Sequence, residues 1–399
     1  MERRWLRAVA VIALLAGSAS VAPRPAAQAA PRVRLTWVAV TTWLLEIGET
    51  RVLLDAFFTR PPDPLFRPGT GGAYTFEPKP SDRPTVERVL AALNINGHNS
   101  LDYILSGHSH YDHSLDIPLV AEITGAKVIG PRSTCLQMIA EGVPSTQCTT
   151  ADGGETFTLG SSPSTKTMLH VIHSDHSGNA TSILHVPREL AIVPTVVPPT
   201  TAGGLHVGVL EDMPNGGGTR VYLITVQGPG PKKFSIVMET SGSSTDFENP
   251  IAVRNCIGVF PVPACDVEVP GTTFPSPGDG FRLAMQQAGL SNVDLFIGFA
   301  TGNPGPSDLS LKQQEFAILH PRFFIPTHLG SLGQPIADGL DSQFTPSAGF
   351  TALLGAENTS LLVPRQFMDA FILDANGVKP TSNHQAKQQL GLSDVQEFP

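Results

Sequence analysis

Charge is scarce in this chain. Asp, Glu, Lys and Arg make up 15% of 399 residues, and 26 basic residues stand against 35 acidic ones. No basic run occurs along it, which argues against nucleic acid and anionic membrane surfaces as partners. Cysteine is nearly missing: Cys135, Cys148, Cys256 and Cys265 are the four present, without the Cys-x-x-Cys spacing of a zinc knuckle. The apolar stretch AVAVIALLAG near the N-terminus is too short to span a bilayer comfortably. Neither Ser106-Gly107 nor the glycine run at 216–218 makes a phosphate loop or a nucleophile elbow, and no short-period repeat is found. What is abundant is glycine, 38 residues, and proline, 36, within a chain that is 41% hydrophobic. That composition describes a loop-rich globular chain of enzyme size rather than a disordered one.

Residues 1–29 read as a removable secretory signal, with basic MERRWLR, the apolar stretch, helix-breaking Pro23 and Pro25, and a small-residue cleavage site at Ala27-Gln28-Ala29. Its removal takes away Arg3, Arg4, Arg7, Arg24 and Glu2, so the net charge moves from −9 to about −12. Export makes the chain secreted or periplasmic, with no stable membrane anchor after cleavage. The cysteines then pair locally, Cys135 with Cys148 and Cys256 with Cys265, each pair stapling a Gly/Pro-rich excursion.

Residues 33–58 alternate apolar and polar and break at Gly48-Glu49, which predicts a hairpin of two strands. Residues 59–84, 187–218 and 258–280 are too rich in Pro and Gly to be regular and read as inserts in a single domain over 30–399. Helical spacing from Thr85 to Leu93 precedes the strand-like DYILS. A helix over roughly 115–124 and a short strand, AKVIG, follow. Strands are also expected near 155–159, 166–172, 180–186, 220–227 and 234–238. The last third repeats the pattern: a helix in GDGFRLAMQQAGL, a buried strand in VDLFIGFA, a helix behind a Ser307 cap, and a strand, RFFIPTHLG, that ends at His328. Two runs of strands with attached helices suggest two similar halves facing each other in an α/β (α+β layered) sandwich.

Between the strand DYILS and the next helix lies SGHSHYDHSLD, three histidines and two aspartates in a chain with only 12 histidines. Imidazole nitrogen and carboxylate oxygen are the donors that zinc and its borderline-soft neighbours take. In extended chain, residues two apart point the same way, so His108 and His110 can grip one cation. A tight turn brings Asp112 and His113 to a second position.

HSHYDH resembles the His-x-His-x-Asp-His signature of the metallo-β-lactamase superfamily. The opening LLDAFF, the later VIHSDHSG and the final IPTHLG resemble that superfamily's other motifs in the same order, over about residues 33–335. The resemblance is nearest to the branch with ascorbate-6-phosphate lactonase and N-acyl-phosphatidylethanolamine phospholipase D. It implies a four-layer αββα fold holding one or two Zn2+ ions, with Mn2+ or Fe as substitutes. One cation would take His108, His110 and a mid-chain histidine, His176 or, three residues earlier, His173. The other would take Asp112, His113 and His328. The oxygen bridge that many members supply after the strand FSIVM is not evident here. Glu239 can serve as that ligand, or Thr240 or Ser241 can stand there holding only a water, so one metal and two remain alternatives. Asp55 reads as orienting the histidine loop, while Asp116 is explained by the helix dipole and His320 by a helix C-terminus.

The implied chemistry is attack by metal-activated water, positioned by Asp112 as the catalytic carboxylate, on an ester, lactone, amide or phosphodiester. The alternatives are a metal-dependent oxidoreductase or dioxygenase, since this cage can hold iron, and a non-catalytic metal- or ligand-binding protein. The acidic balance repels polyanionic substrates. Phe66, Tyr74, Phe76, Val196, Val197, Leu205 and Val209 suggest an apolar wall for the acyl or aromatic part of a small molecule.

Overall fold

The computed structural model describes residues 31–60, 78–162, 165–176, 188–194, 204–206, 218–230, 232–242, 247–256, 267–300, 306–339 and 344–392. The expected signal segment, the strand at 180–186 and Cys265 lie outside these residues.

Two large sheets share one hydrophobic core. The first has eight strands in the order Gly377–Thr381, Ala370–Asp374, Val33–Ala39, Thr42–Ile47, Thr50–Leu54, Tyr103–Leu105, Lys127–Gly130 and Cys148–Thr150. The second has seven: Ser360–Leu361, Phe323–Thr327, Leu295–Phe299, Lys233–Met238, Thr219–Gln227, Thr165–Ser174 and Thr156–Ser162. Each sheet is an antiparallel meander on one side and a parallel array on the other. Pairing turns parallel after Thr50–Leu54 in the first sheet and after Lys233–Met238 in the second. The parallel strands read as continuous apolar runs because both of their faces are buried, as in Leu295–Phe299.

The helices follow from spacing and caps. Pro277–Ala288 begins behind Ser276, whose Oγ accepts from the Asp279 N–H at 3.1 Å, and ends at Gly289 in a left-handed conformation. It buries Phe281, Ala284, Met285 and Ala288, a single face at helical period, against the strand Thr165–Ser174. Arg83–Ala92 buries Val86, Val89 and Leu90 in the same way. Helices pack on both sheets, Pro277–Ala288 on the second and Arg132–Ala140 on Lys127–Gly130 and Cys148–Thr150 of the first.

Several local expectations are corrected. The opening segment forms three strands rather than two, because the chain also turns at Val40-Thr41, where Val40 takes φ +36°. The stretches read as irregular inserts contain strands: Arg188–Leu190 and Val267–Phe274 flank Ile251–Cys256 in a three-stranded sheet, and Leu205–His206 pairs with Pro78–Lys79. The helix placed behind a Ser307 cap starts at Pro306 and runs to Leu319, so Ser307 lies inside it. The hairpin Ala370–Asp374 and Gly377–Thr381 returns from the C-terminal end to extend the first sheet beside Val33–Ala39.

Candidate metal centre

Every side chain of interest leaves the carboxyl end of a strand. Asp55 follows Leu54, Ser106 follows Leu105, Glu239 follows Met238 and His328 follows Thr327, while His176 stands two residues past Ser174. Layered α/β proteins place their sites at this edge because the turns there are free of the ladder and helix ends converge on them.

The first sheet supplies the turn. His110 caps the short helix Tyr111–Ser114, which turns Asp112 and His113 inward. The turn is braced from below: Ser114 Oγ donates to the carbonyls of Ser109 and His110 at 3.1 and 3.0 Å, and Gln137 Nε2 donates to the Ser109 carbonyl at 3.1 Å. Gly107 is required between Ser106 and His108. A Cβ there would collide with Thr240 Oγ1 and come within 3.3 Å of Asp55 Oδ1. Asp55 joins the turn to its sheet: the Gly107 N–H donates to Oδ1 at 2.6 Å, and His113 Nδ1–H donates to Oδ2 at 2.7 Å. The second bond leaves His113 Nε2 as the nitrogen with a lone pair to offer.

The second sheet supplies the remaining imidazoles. His328 takes φ +64°, and its N–H donates to the Val40 carbonyl at 3.0 Å. Trp37 Nε1 and Thr327 Oγ1 donate to the same carbonyl at 3.0 and 3.1 Å. A β-branched residue at positive φ is a costly conformation, and three donors on one carbonyl hold it. His176 is brought in by the end of Thr165–Ser174, its N–H donating to Asp175 Oδ1 at 2.8 Å.

Two donor groups result, His108, His110 and His176 in one and Asp112, His113 and His328 in the other, with ligand atoms inside each group within 4.8 Å of one another. The groups are contiguous: the His108 and His113 rings are 3.7 Å apart, centre to centre. His110 and His176 are 4.5 Å apart, and His113 and His328 are 5.4 Å apart. Tetrahedral bonds of about 2.0–2.1 Å place neighbouring donor atoms about 3.3 Å from each other. His108 Nε2 to His110 Nδ1 is 3.1 Å, His328 Nε2 to Asp112 Oδ2 is 3.3 Å, and His113 Nε2 to Asp112 Oδ2 is 3.5 Å. The residues therefore fit a cation at each position.

Electrostatics agree with that fit. Burial, then the charge of the neighbouring imidazoles, pushes His108 well below its ordinary value. Burial also takes His110 down to about 4, against the opposing pull of Asp112. Both rings are neutral near pH 7 with lone pairs available. Burial disfavours the Asp112 carboxylate, but His113 and His328 outweigh it and hold that carboxyl well below the usual range.

Of the residues proposed from the sequence, His108, His110, Asp112, His113, His176 and His328 come together. His173 lies in the strand instead, its Nδ1 within 2.8 Å of the Asp152 carbonyl and its ring stacked on Phe274 at 3.8 Å. His320 pairs with Glu357 at 2.9 Å.

Glu239 is a correction. Its carboxylate lies in neither donor group; Oε2 accepts the Phe299 N–H at 3.2 Å and is ion-paired to the Lys312 ammonium, which also reaches Glu315 Oε2 at 2.7 Å. All three side chains are fully buried. Strand-end position suggested a ligand, but the helix Pro306–Leu319 delivers a lysine that neutralises it. Thr240 takes the place over Gly107, its Oγ1 without a hydrogen-bond partner among the described residues.

Asp116 does more than meet a helix dipole: its carboxylate accepts the Phe58 and Thr59 N–H groups at 2.5 and 2.7 Å and Thr59 Oγ1–H at 2.7 Å. Arg60 lies just beyond that segment and had no reading from the sequence. The only signal was a lone cation closing the apolar run DAFFTR.

No family model matches the chain. A UPF0173 metal-dependent hydrolase of Methylobacterium nodulans is 29% identical over 150 residues, which is 36% of this chain and 49% of that protein. The chain spans half or less of the length of the curated relatives it matches, 28% and 20% for two UPF0173 proteins of Pyrococcus abyssi and Pyrococcus furiosus. Among solved structures, the metallo hydrolase Igni18 of Ignicoccus hospitalis superposes with a TM-score of 0.43 at 13% identity, covering 86% of this chain and 99% of that one. The metallo-β-lactamase fold protein YhfI of Bacillus subtilis gives 0.40 at 9%, with the same coverage. The two-sheet layering, with the His-x-His-x-Asp-His turn on one sheet and its completing histidines on the other, is the arrangement that the resemblance carried by the sequence motifs implies.

Proposed function

We propose that the chain is a metal-dependent hydrolase acting on a small molecule with an ester, lactone, amide or phosphodiester bond. The donor spacing across both groups carries this reading. His108, His110 and His176 hold one divalent cation, zinc by the nature of its donors, and Asp112, His113 and His328 hold a second. Such a cation supplies Lewis acidity toward a carbonyl or phosphoryl oxygen and makes water acidic enough to react near neutral pH. Asp112, held ionised by its histidine neighbours, accepts a hydrogen bond from the attacking water and orients it. Asp55 keeps His113 in the tautomer whose Nε2 faces the centre. With Glu239 neutralised by Lys312, no carboxylate from that strand bridges the groups, which makes the second cation the weaker one.

Two imidazoles and one carboxylate in the second group also make the set that non-haem iron takes, so an oxidoreductase is the competing reading. Export fits the reading as well: the disulfide Cys135–Cys148, closing a separation of 13 residues, favours an oxidising compartment. Of the apolar wall expected from the sequence, Leu205 is buried in a small cluster with Val40, Phe57 and Leu115, which supports an apolar flank beside the centre. The other wall residues lie outside the described ones.

Turnover of para-nitrophenyl esters and bis-nitrophenyl phosphate tests the proposal. Zinc-loaded protein is expected to hydrolyse at least one of them, lose the activity to a chelator and regain it with zinc. Activity indifferent to chelation, or oxygen uptake by a coloured iron-loaded form in its place, would overturn it.

A further inference from the structure

Arg60 stands unexplained by the fold. All three of its guanidinium nitrogens are shielded from solvent and have no hydrogen-bond partner among the described residues. A buried cation without an acceptor is among the costliest arrangements in a protein, and it persists where something outside the fold completes it.

The neighbouring acids make no hydrogen bond to it. Asp116 is closest in charge, but both of its oxygens are already taken by Phe58 and Thr59. Asp112 also acts on Arg60, but its Oδ2 faces His113 and His328. Burial lowers the guanidinium to about 10, with these acids pulling the other way, so it keeps its charge at neutral pH.

Its surroundings set the direction in which it can bind. The guanidinium carbon lies 4.5 Å from the centre of the Phe57 ring and 5.7 Å from that of Phe367. Rings near the guanidinium leave its in-plane N–H groups as donors, the geometry that pairs with a planar two-oxygen acceptor. Phe57 in turn meets the Tyr111 ring at 5.8 Å, edge to face, and Tyr111 precedes Asp112. The arginine is thus linked through Phe57 and Tyr111 to the helix that carries Asp112 and His113.

We infer that Arg60 is a substrate-recognition residue that receives a carboxylate of the substrate beside the metal centre. The inference rests on the metal-centre reading and narrows its substrate class to singly charged organic acids. One guanidinium near two protein carboxylates suits one negative charge rather than a dianion, in keeping with the acidic balance of the chain.

The test uses full-length zinc-loaded protein and titration calorimetry with a short series of ω-carboxyalkyl hydroxamates, each paired with the analogue whose carboxylate is a carboxamide. The hydroxamate anchors at the metal; only the far end differs. At the best chain length the carboxylate probe is expected to bind about tenfold or more tightly than its carboxamide twin. Arg60→Gln is expected to abolish that preference while leaving affinity for the carboxamide probe unchanged, and Arg60→Lys to keep part of it. Equal affinity of the twins at every length, or a preference that survives in Arg60→Gln, overturns the inference and leaves the metal centre standing. Failure of both probes to bind the zinc-loaded protein overturns the metal-centre reading, and the inference with it.

Discussion

The protonation state of one ring nitrogen decides whether the second donor group can form. Asp55 accepts His113 Nδ1–H at 2.7 Å and the Gly107 N–H at 2.6 Å, so the carboxylate fixes both a tautomer and a backbone position. Asp55→Asn keeps the shape and tolerates the φ of +54° at this position. Its amide, however, turns a donor toward His113, which drives the ring proton to Nε2 and removes the lone pair. The variant is expected to fold with its thermal midpoint little changed and to lose about 10–100-fold in affinity at the second position, measured by competition with a chromogenic chelator. Unchanged affinity would show that Asp55 does not set the tautomer. The choice of His176 over His173 works at the same scale. Alternation puts residues three apart on opposite faces without saying which face meets the centre; what decides is that the strand ends at Ser174, leaving His176 beyond the ladder and His173 inside it.

Among the elements, the turn between Leu105 and the helix Tyr111–Ser114 is the part most sensitive to packing. Gly107→Ala forces a methyl against Thr240 Oγ1 and toward Asp55, with no room behind it. A cost of about 1–3 kcal/mol is expected in chemical denaturation, along with weakened metal binding, because His108 must move with the turn. Adding Thr240→Ala removes the oxygen in conflict and is expected to restore part of the stability. No recovery would mean that the glycine is needed for another reason. The turn and its histidines were readable from the sequence because metal donors are chemically distinctive and closely spaced. The partner that neutralises Glu239 was not readable: Lys312 is 73 residues away and reaches it only because a helix packs there. The break at Val40-Thr41 was hidden for a similar reason, since a valine at positive φ has no local signal and is held by His328, Trp37 and Thr327 from elsewhere in the fold.

Taken as a whole, the molecule concentrates buried titratable groups at one edge, so its metal-free form has a characteristic pH response. His108 and His110 titrate in the folded state below the 6.5 of an unfolded chain. Between that value and about 4, the folded value for His110, the unfolded state binds more protons, so stability is lost as the pH falls through this window. His110 alone accounts for roughly 3 kcal/mol at about 1.4 kcal/mol per unit. His113 acts in the opposite sense: with Asp112 and Asp55 overcoming burial, its folded value is raised, and its contribution is lost only as the pH climbs above 6.5. Denaturation of metal-free protein at pH 7 and pH 4.5 checks this, and equal midpoints would contradict it. At this scale the alternation of strands and helices made the layered halves legible, whereas the C-terminal hairpin that completes the first sheet carries no motif and is placed only by pairing with Val33–Ala39. Whether histidines from the two sheets bind metal together is read out by elemental analysis of zinc-loaded parent, His176→Ala and His328→Ala proteins. About two equivalents are expected in the parent and about one in each variant; an equal zinc content in all three would contradict a shared centre.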